Sequence, residues 1–117
     1  MIYEVGADDA RAKDEIFGPV LSVIEVATND EAVAIANRTE YGLAASVFTS
    51  NTRQAIRAAR DIQAGTVTVN CYGEGDISTP FGGYKQSGNG REGGSWGLEA
   101  VSYTHLRAHE TVLDLVC

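Results

Sequence analysis

The sequence is short of the features that staple a fold, cross a bilayer or hold nucleic acid. It has two cysteines in 117 residues, Cys71 and Cys117. That is too few for a disulfide framework, so a reducing cytoplasm is the default compartment. No window approaches the roughly 18 apolar residues of a membrane span. The start, MIYEVGADDARAK, carries no apolar run behind a basic flank, so no membrane partner is expected. Basic residues are scarce: 9 Lys and Arg stand against 16 Asp and Glu, for a net charge of −7. A basic stripe is what binding to phosphates requires, so nucleic acid is not the expected partner. Arg53, Arg57 and Arg60 do cluster, but they fall on the solvent face of a predicted helix.

What remains is ordinary for a soluble globular protein: 44% hydrophobic and 21% charged residues. The length suits one small domain with a modest core. Residues 20–26 contain a run of β-formers, Val20, Val23, Ile24 and Val26, and predict a strand. Thr28 offers an N-cap with Glu31 three residues on, a capping-box pattern. Ala32, Ile35, Ala36 and Thr39 follow at helical spacing, with Val33 widening the stripe. Gly42, after Tyr41, reads as a left-handed cap that stops this helix. Residues 44–49 form a second apolar run. Asn51 with Gln54 opens a second helix, whose expected buried face is Ala55, Ile56, Ala59 and Ile62. Gly65 ends it, and residues 66–70 read as a third strand. The resulting fold class is α/β, a β-α-β-α-β segment with a parallel sheet and right-handed crossovers.

From residue 71 to residue 97 the texture changes. Nine of the 13 glycines lie here, with Pro80 and few aliphatics, which predicts a long ordered loop. Loops of this length in compact domains are commonly functional. Tyr72, Phe81, Tyr84 and Trp96 give it something to pack with.

Several patterns invite a chemical reading. Residues 88–93, GNGREG, satisfy G-x-G-x-x-G, yet the residues before them, KQSG, are loop. No acidic residue closes a second strand about twenty positions on, so the dinucleotide fingerprint is rejected. His105 and His109 have the spacing of a two-histidine metal pair but lack a third ligand, and no metal is expected. Cys71 stands at the end of the third strand, where parallel sheets often place functional residues. A nucleophilic thiol needs a base or a positive field, and its neighbours Glu74 and Asp76 are acidic, so packing or lining a pocket is the expected role. In Glu15-Ile16-Phe17-Gly18-Pro19, a carboxylate could accept from a vicinal diol and an aromatic could pack on a flat ring. By composition alone, the same residues also read as a surface glutamate beside a core phenylalanine.

Four blocks give these residues a context. EIFGPV at 15–20, EYGLAASVFT at 40–49, AGTVTVN at 64–70 and PFGGYKQSGNGRE at 80–92 resemble, in order and spacing, the C-terminal part of the aldehyde dehydrogenase superfamily. The likeness covers residues 7–101. It implies a segment of the catalytic domain of an enzyme that oxidises aldehydes to acids with NAD or NADP, with the domain part at residues 1–102. By that resemblance Glu15 holds the nicotinamide ribose hydroxyls, a task suited to a carboxylate that accepts from both at once, and Phe17 contacts the nicotinamide side. Phe81 lines the aldehyde tunnel, and so do the residues after the third strand, Cys71, Tyr72, Gly75 and Asp76 among them. Many relatives carry an aromatic a few positions before PFGG. Gly75 stands here between Glu74 and Asp76, which makes the tunnel mouth wider and more acidic and suits a substrate with a distal cation. The stretch GDISTPFGGYKQSGNGR also looks like dehydrogenases of γ-glutamyl-γ-aminobutyraldehyde or guanidinobutyraldehyde.

The family's nucleophilic cysteine, general-base glutamate, oxyanion hole and Rossmann domain all lie upstream of these blocks. The chain by itself is therefore expected to be inactive, with Met1 an internal start or a cut end. Family members continue past GLEA into a strand used in oligomerisation, and the parent is expected to be a homo-oligomer, dimer or tetramer. Residues 103–117 depart from that pattern. They resemble translated adapter read-through and are expected to be a non-family tail. Two other readings stay open: a stand-alone small α/β binding module without catalysis, and a segment of a succinate-semialdehyde or betaine-aldehyde dehydrogenase.

Overall fold

The computed structural model describes residues 1–73 and 75–99. The expected strand at residues 20–26 and both expected helices are present, in shorter form, along with strands that the pattern did not announce. β1 (Ile2–Glu4), α1 (Ala10–Lys13) and β2 (Leu21–Val23) form a first unit. β1 and β2 pair in parallel, Ile2 with Leu21 and Glu4 with Val23. Asp9 caps α1 by accepting from the Arg11 N–H, and Ser22 Oγ donates to Arg11 O at 2.7 Å, tying α1 to β2.

α2 (Asn29–Ala36) starts where the capping pattern put it. Thr28 Oγ1 accepts from Glu31 N at 3.1 Å. The return bond goes one residue further out, from Ala27 N to Glu31 Oε2 at 2.9 Å. Either way, donors that the first turn cannot use internally gain partners. α3 (Thr52–Asp61) is capped by Asn51, whose Oδ1 accepts from Arg53 N and Gln54 N. Asn37 then joins the far ends of the two helices: its Nδ2 donates to Asp61 O at 2.8 Å, and its Oδ1 accepts from Gln63 N at 2.7 Å.

β4 (Ala44–Val47) and β5 (Thr66–Val69) pair in parallel around α3, Ala44 with Thr66 and Val47 with Val69. β5 reads TVTV, four β-branched residues that suit a pleated ladder. α3 packs on both strands, and Ala55 is buried in that contact. β3 (Tyr41–Gly42) pairs antiparallel with β6 (Tyr84–Lys85), Tyr41 with Lys85 and Gly42 with Tyr84.

Four expectations need correction. The strand at residues 20–26 does not share a sheet with β4 and β5. It pairs with β1, so the described residues form a β-α-β unit at each end of α2 and three two-stranded sheets in place of one continuous parallel sheet. Gly42 does not cap α2. That helix ends at Ala36 with Asn37 in a right-handed conformation, and Gly42 lies in β3, where a Cβ would meet Gln63 O at 2.6 Å. Glycine is required there for closeness. Ile56 does not join the buried face of α3. It is 65% exposed, because the surfaces α3 packs on, β4, β5 and α2, leave it uncovered. The stretch 71–97 is not loop throughout, since it contains β6, a bridge between Phe81 and Glu92, and helical backbone at residues 94–99.

Among the described residues, only Val5 and Ala55 count as buried hydrophobics. Phe17, Tyr72 and Ile77 are 88%, 85% and 91% exposed. Burying a large apolar side chain is worth about 1.5–3 kcal/mol, and most of that gain is left unrealised within this chain.

Candidate active-site wall

The parallel pair β4–β5 makes the floor of the site. Ala44 and Ser46 alternate along one strand, and Thr66 and Thr68 along the other, so small side chains share a face of the ladder. Ser46 Oγ and Thr68 Oγ1 are 2.9 Å apart and hydrogen-bonded. This face opens into a trough of about 1170 Å³. Its far wall comes from the chain that leaves β5, including Tyr72, Gly75 and Asp76, and its rim from Thr79, Pro80 and Phe81.

Asn70 turns the chain from floor to wall. It has φ +55, a left-handed conformation that asparagine tolerates better than most residues. Its Oδ1 accepts from Thr49 N at 2.9 Å and its Nδ2 donates to Thr49 O at 3.0 Å. The side-chain amide thus behaves as one more peptide unit at the end of the ladder. Thr68 Oγ1 donates to Cys71 O at 3.0 Å and fixes the next residue.

The rim is held by a second device. Residues 76–79 close a turn through Thr79 N and Asp76 O at 2.9 Å. The Asp76 side chain reinforces it, its Oδ1 accepting from Ser78 N at 2.8 Å and from Ser78 Oγ at 2.7 Å. This is the local bonding that favours aspartate at the first position of a turn. The Ser78 backbone N–H, and then its hydroxyl, hold the Asp76 carboxyl below the usual carboxylate range. Phe81 exchanges two backbone bonds with Glu92, each 2.7 Å. Arg91 Nη1 donates to Gly83 O and Gly90 O at 2.9 and 2.8 Å, while its guanidinium sits 5.7 Å from the Tyr84 ring centre. Lys85 Nζ reaches across to Asn37 O and Thr39 O, just past the end of α2. The residues of the rejected G-x-G-x-x-G pattern therefore brace the rim, and the short strand before them, β6, runs antiparallel to β3.

Of the residues singled out from sequence, Tyr72, Gly75, Asp76 and Phe81 come together on the trough. Cys71 is not among the residues that line it and is a half-buried free thiol. Glu15 and Phe17 lie apart, in the loop before β2. Phe17 has φ +53 and its ring is 88% exposed. A bulky residue in left-handed backbone costs on the order of 1–3 kcal/mol and is found most often at ligand sites. Among the described residues no hydrogen bond involves the Glu15 side chain. Sequence reasoning missed the floor residues Ser46, Thr66 and Thr68, although their alternation with Ala44 was visible. It also missed Ser78, whose signal was the D-x-S spacing. No three His, Cys, Asp or Glu side chains gather to hold a metal among the described residues. His105, His109 and the tail at 103–117 lie outside them, and no described helix is long and apolar enough to cross a membrane.

A trough over one face of a parallel strand pair, rimmed by a braced glycine-rich segment, is a candidate small-molecule site of an α/β protein. The Aldehyde dehydrogenase family profile matches residues 1–106, and the chain belongs to that family. An aminoacetaldehyde dehydrogenase from Pseudomonas aeruginosa is 56% identical over 96 residues, which cover 81% of this chain and 19% of the relative. The crystal structure of a gamma-glutamyl-gamma-aminobutyraldehyde dehydrogenase from Burkholderia cenocepacia matches with a TM-score of 0.80 at 60% identity, over 84% of this chain and 20% of that one. A Mycobacterium tuberculosis aldehyde dehydrogenase solved with NAD+ matches with a TM-score of 0.80 at 44% identity, over 85% and 20% of the two chains. The chain thus spans about a fifth of the length of the relatives it matches.

Proposed function

We propose that these residues serve an enzyme that oxidises an ω-amino or guanidino aldehyde to the carboxylic acid with NAD or NADP, and that the chain alone is inactive. The observation that carries this reading is the assembly of Tyr72, Gly75, Asp76 and Phe81 on one trough whose only charged lining residue, among those described, is Asp76. Apolar and hydroxyl-bearing walls admit a carbon chain, and an uncompensated carboxylate favours a cationic end over a neutral or anionic one. The names of the aminoacetaldehyde and gamma-glutamyl-gamma-aminobutyraldehyde relatives agree with a nitrogen-bearing substrate.

Glu15 and Phe17 fit the nicotinamide end of the cofactor. A carboxylate with no hydrogen-bond partner among the described residues accepts from both ribose hydroxyls, and a bare aromatic ring presented on left-handed backbone offers a flat face. The cofactor, when bound, takes the hydride that leaves the aldehyde carbon. Glu15 and Phe17 orient it, Phe81 and Tyr72 shield the aldehyde from water, and Asp76 aligns the distal end. Cys71 does not suit the nucleophile: it is not among the trough's lining residues and makes no hydrogen bond to a base among the described residues. The thiolate and the base are supplied from elsewhere in the parent.

The test is made in the full-length enzyme. Glu15→Ala is expected to slow single-turnover NAD(P)H formation by about tenfold or more. An unchanged hydride-transfer rate overturns the clamp. Acetaldehyde turned over as well as guanidinobutyraldehyde and its amino analogue overturns the substrate class.

A further inference from the structure

The two oxygens of Asp76 are not equivalent. Oδ1 receives both donors of Ser78, the backbone N–H at 2.8 Å and the hydroxyl at 2.7 Å. A carboxylate oxygen offers two good acceptor directions, so Oδ1 is filled. Oδ2 receives no donor among the described residues, and no described Lys or Arg pairs with Asp76. Asp76 borders the trough beside Gly75, where a Cβ would meet nothing within 4 Å. Space and one free oxygen are therefore offered together.

Guanidinium and ammonium make different demands on such a group. A guanidinium binds a carboxylate best as a fork, one N–H to each oxygen. With Oδ1 filled, that fork loses one prong. An ammonium is a compact point charge that needs a single oxygen, and Oδ2 supplies it. We propose that Ser78 occupies one oxygen of Asp76 so that the trough receives the distal end of its substrate as a primary ammonium and discriminates against a guanidinium on the same carbon chain. The proposal rests on the cationic-aldehyde reading above and narrows it to one class. Asp76 is the specificity-determining residue, and Ser78 positions it.

The experiment uses the full-length enzyme and matched aldehydes that end in ammonium, guanidinium or methyl on chains of three to six carbons, with kcat/KM measured for each. The wild type is expected to favour ammonium over guanidinium by about tenfold at its best chain length, the worth of one charge-assisted hydrogen bond. Asp76→Asn is expected to lower the ammonium-to-methyl ratio by about tenfold. Ser78→Ala removes the hydroxyl and opens one acceptor direction of Oδ1, the backbone N–H keeping the other, so the second prong of a guanidinium can bind and the ammonium-to-guanidinium ratio should fall toward one or below, with Ser78→Thr, which keeps the hydroxyl, restoring it. A wild type that prefers neither cation to methyl overturns the substrate reading and this inference together. A wild type that prefers cations but whose ammonium-to-guanidinium ratio is one, or does not move in Ser78→Ala, overturns this inference alone. If Ser78→Ala is poorly folded, the Asp76→Asn ratio and the wild-type preference still decide the matter.

Discussion

The β4–α3–β5 unit and the glycine-rich rim that follows it are built by opposite means. The first is local: a ladder of β-branched residues, a helix capped by Asn51, and one buried alanine where they meet. The rim has almost no regular structure and no large buried side chain. Close backbone approaches and side chains bonded to distant carbonyls hold it in place. A Cβ on Gly65 would lie 1.6 Å from Gly82 O, one on Gly82 would lie 2.2 Å from Gly90 O, and one on Gly83 would lie 2.5 Å from Ser87 Cβ. Arg91 and Lys85 then spend their charges on backbone oxygens. Glycine in the rim is thus a requirement of packing. The comparison teaches that a segment with few buried side chains can be held in place by close backbone approaches and by side chains bonded to carbonyl oxygens, where it is pressed on a regular strand–helix–strand unit.

Breaking the contact between the two regions should have the largest effect. Gly65→Ala places a methyl group into the Gly82 carbonyl, and neither backbone has room to yield. In the full-length enzyme it is expected to cost about 3 kcal/mol or more, seen as a lower denaturation midpoint with aldehyde turnover lost first. A midpoint equal to wild type would show that the rim is not packed against β5 as described. The local unit should be more forgiving. Asn51→Ala removes an N-cap and is expected to cost about 1 kcal/mol, with exchange of the α3 amides accelerated and the rim unaffected. Rim protection lost in step with α3 would show that the two regions are one cooperative unit.

The smallest effect concerns the first unit. Arg11 donates to Asp9 from its side chain and its backbone, and these bonds lower the Asp9 carboxyl to about 2 from 3.8. A carboxylate with a depressed folded value stabilises fully above its unfolded value, and the gain disappears as pH falls through the folded one. Asp9→Asn should therefore loosen α1 slightly at neutral pH and make no difference below about pH 2, read by amide exchange or chemical shifts of α1. The Asp9 side chain is 28% exposed and its partner Arg11 is more so, so screening by salt should shrink the effect further.

Much of the local structure was legible in the residues. Thr28 with Glu31 and Asn51 with Gln54 marked both helix starts because capping is a bond between near neighbours. The four family blocks were legible for the same reason that a motif is: residue types at fixed spacing. Strand partnership was not. β2 carries β-formers that suit any parallel neighbour, and nothing in its composition distinguishes β1 from β4. Gly42 was misread because a glycine at a left-handed cap and a glycine at a close approach look the same in a sequence. Ile56 was misread because periodicity reveals an apolar stripe but not how wide a surface is available to cover it.

By itself, then, the sequence determined where α2 and α3 begin, the strand segments that became β2, β4 and β5, and the family to which the chain belongs. Tertiary structure alone decided which strands pair, that Tyr72 and Asp76 line the trough, and that Ser78 fills one oxygen of Asp76 while no described residue donates to the other. The division has a physical cause. Caps and turns are decided by bonds a few residues long, whereas pairing, facing and the occupancy of a lone pair depend on groups that only the folded chain brings within about 3 Å of each other.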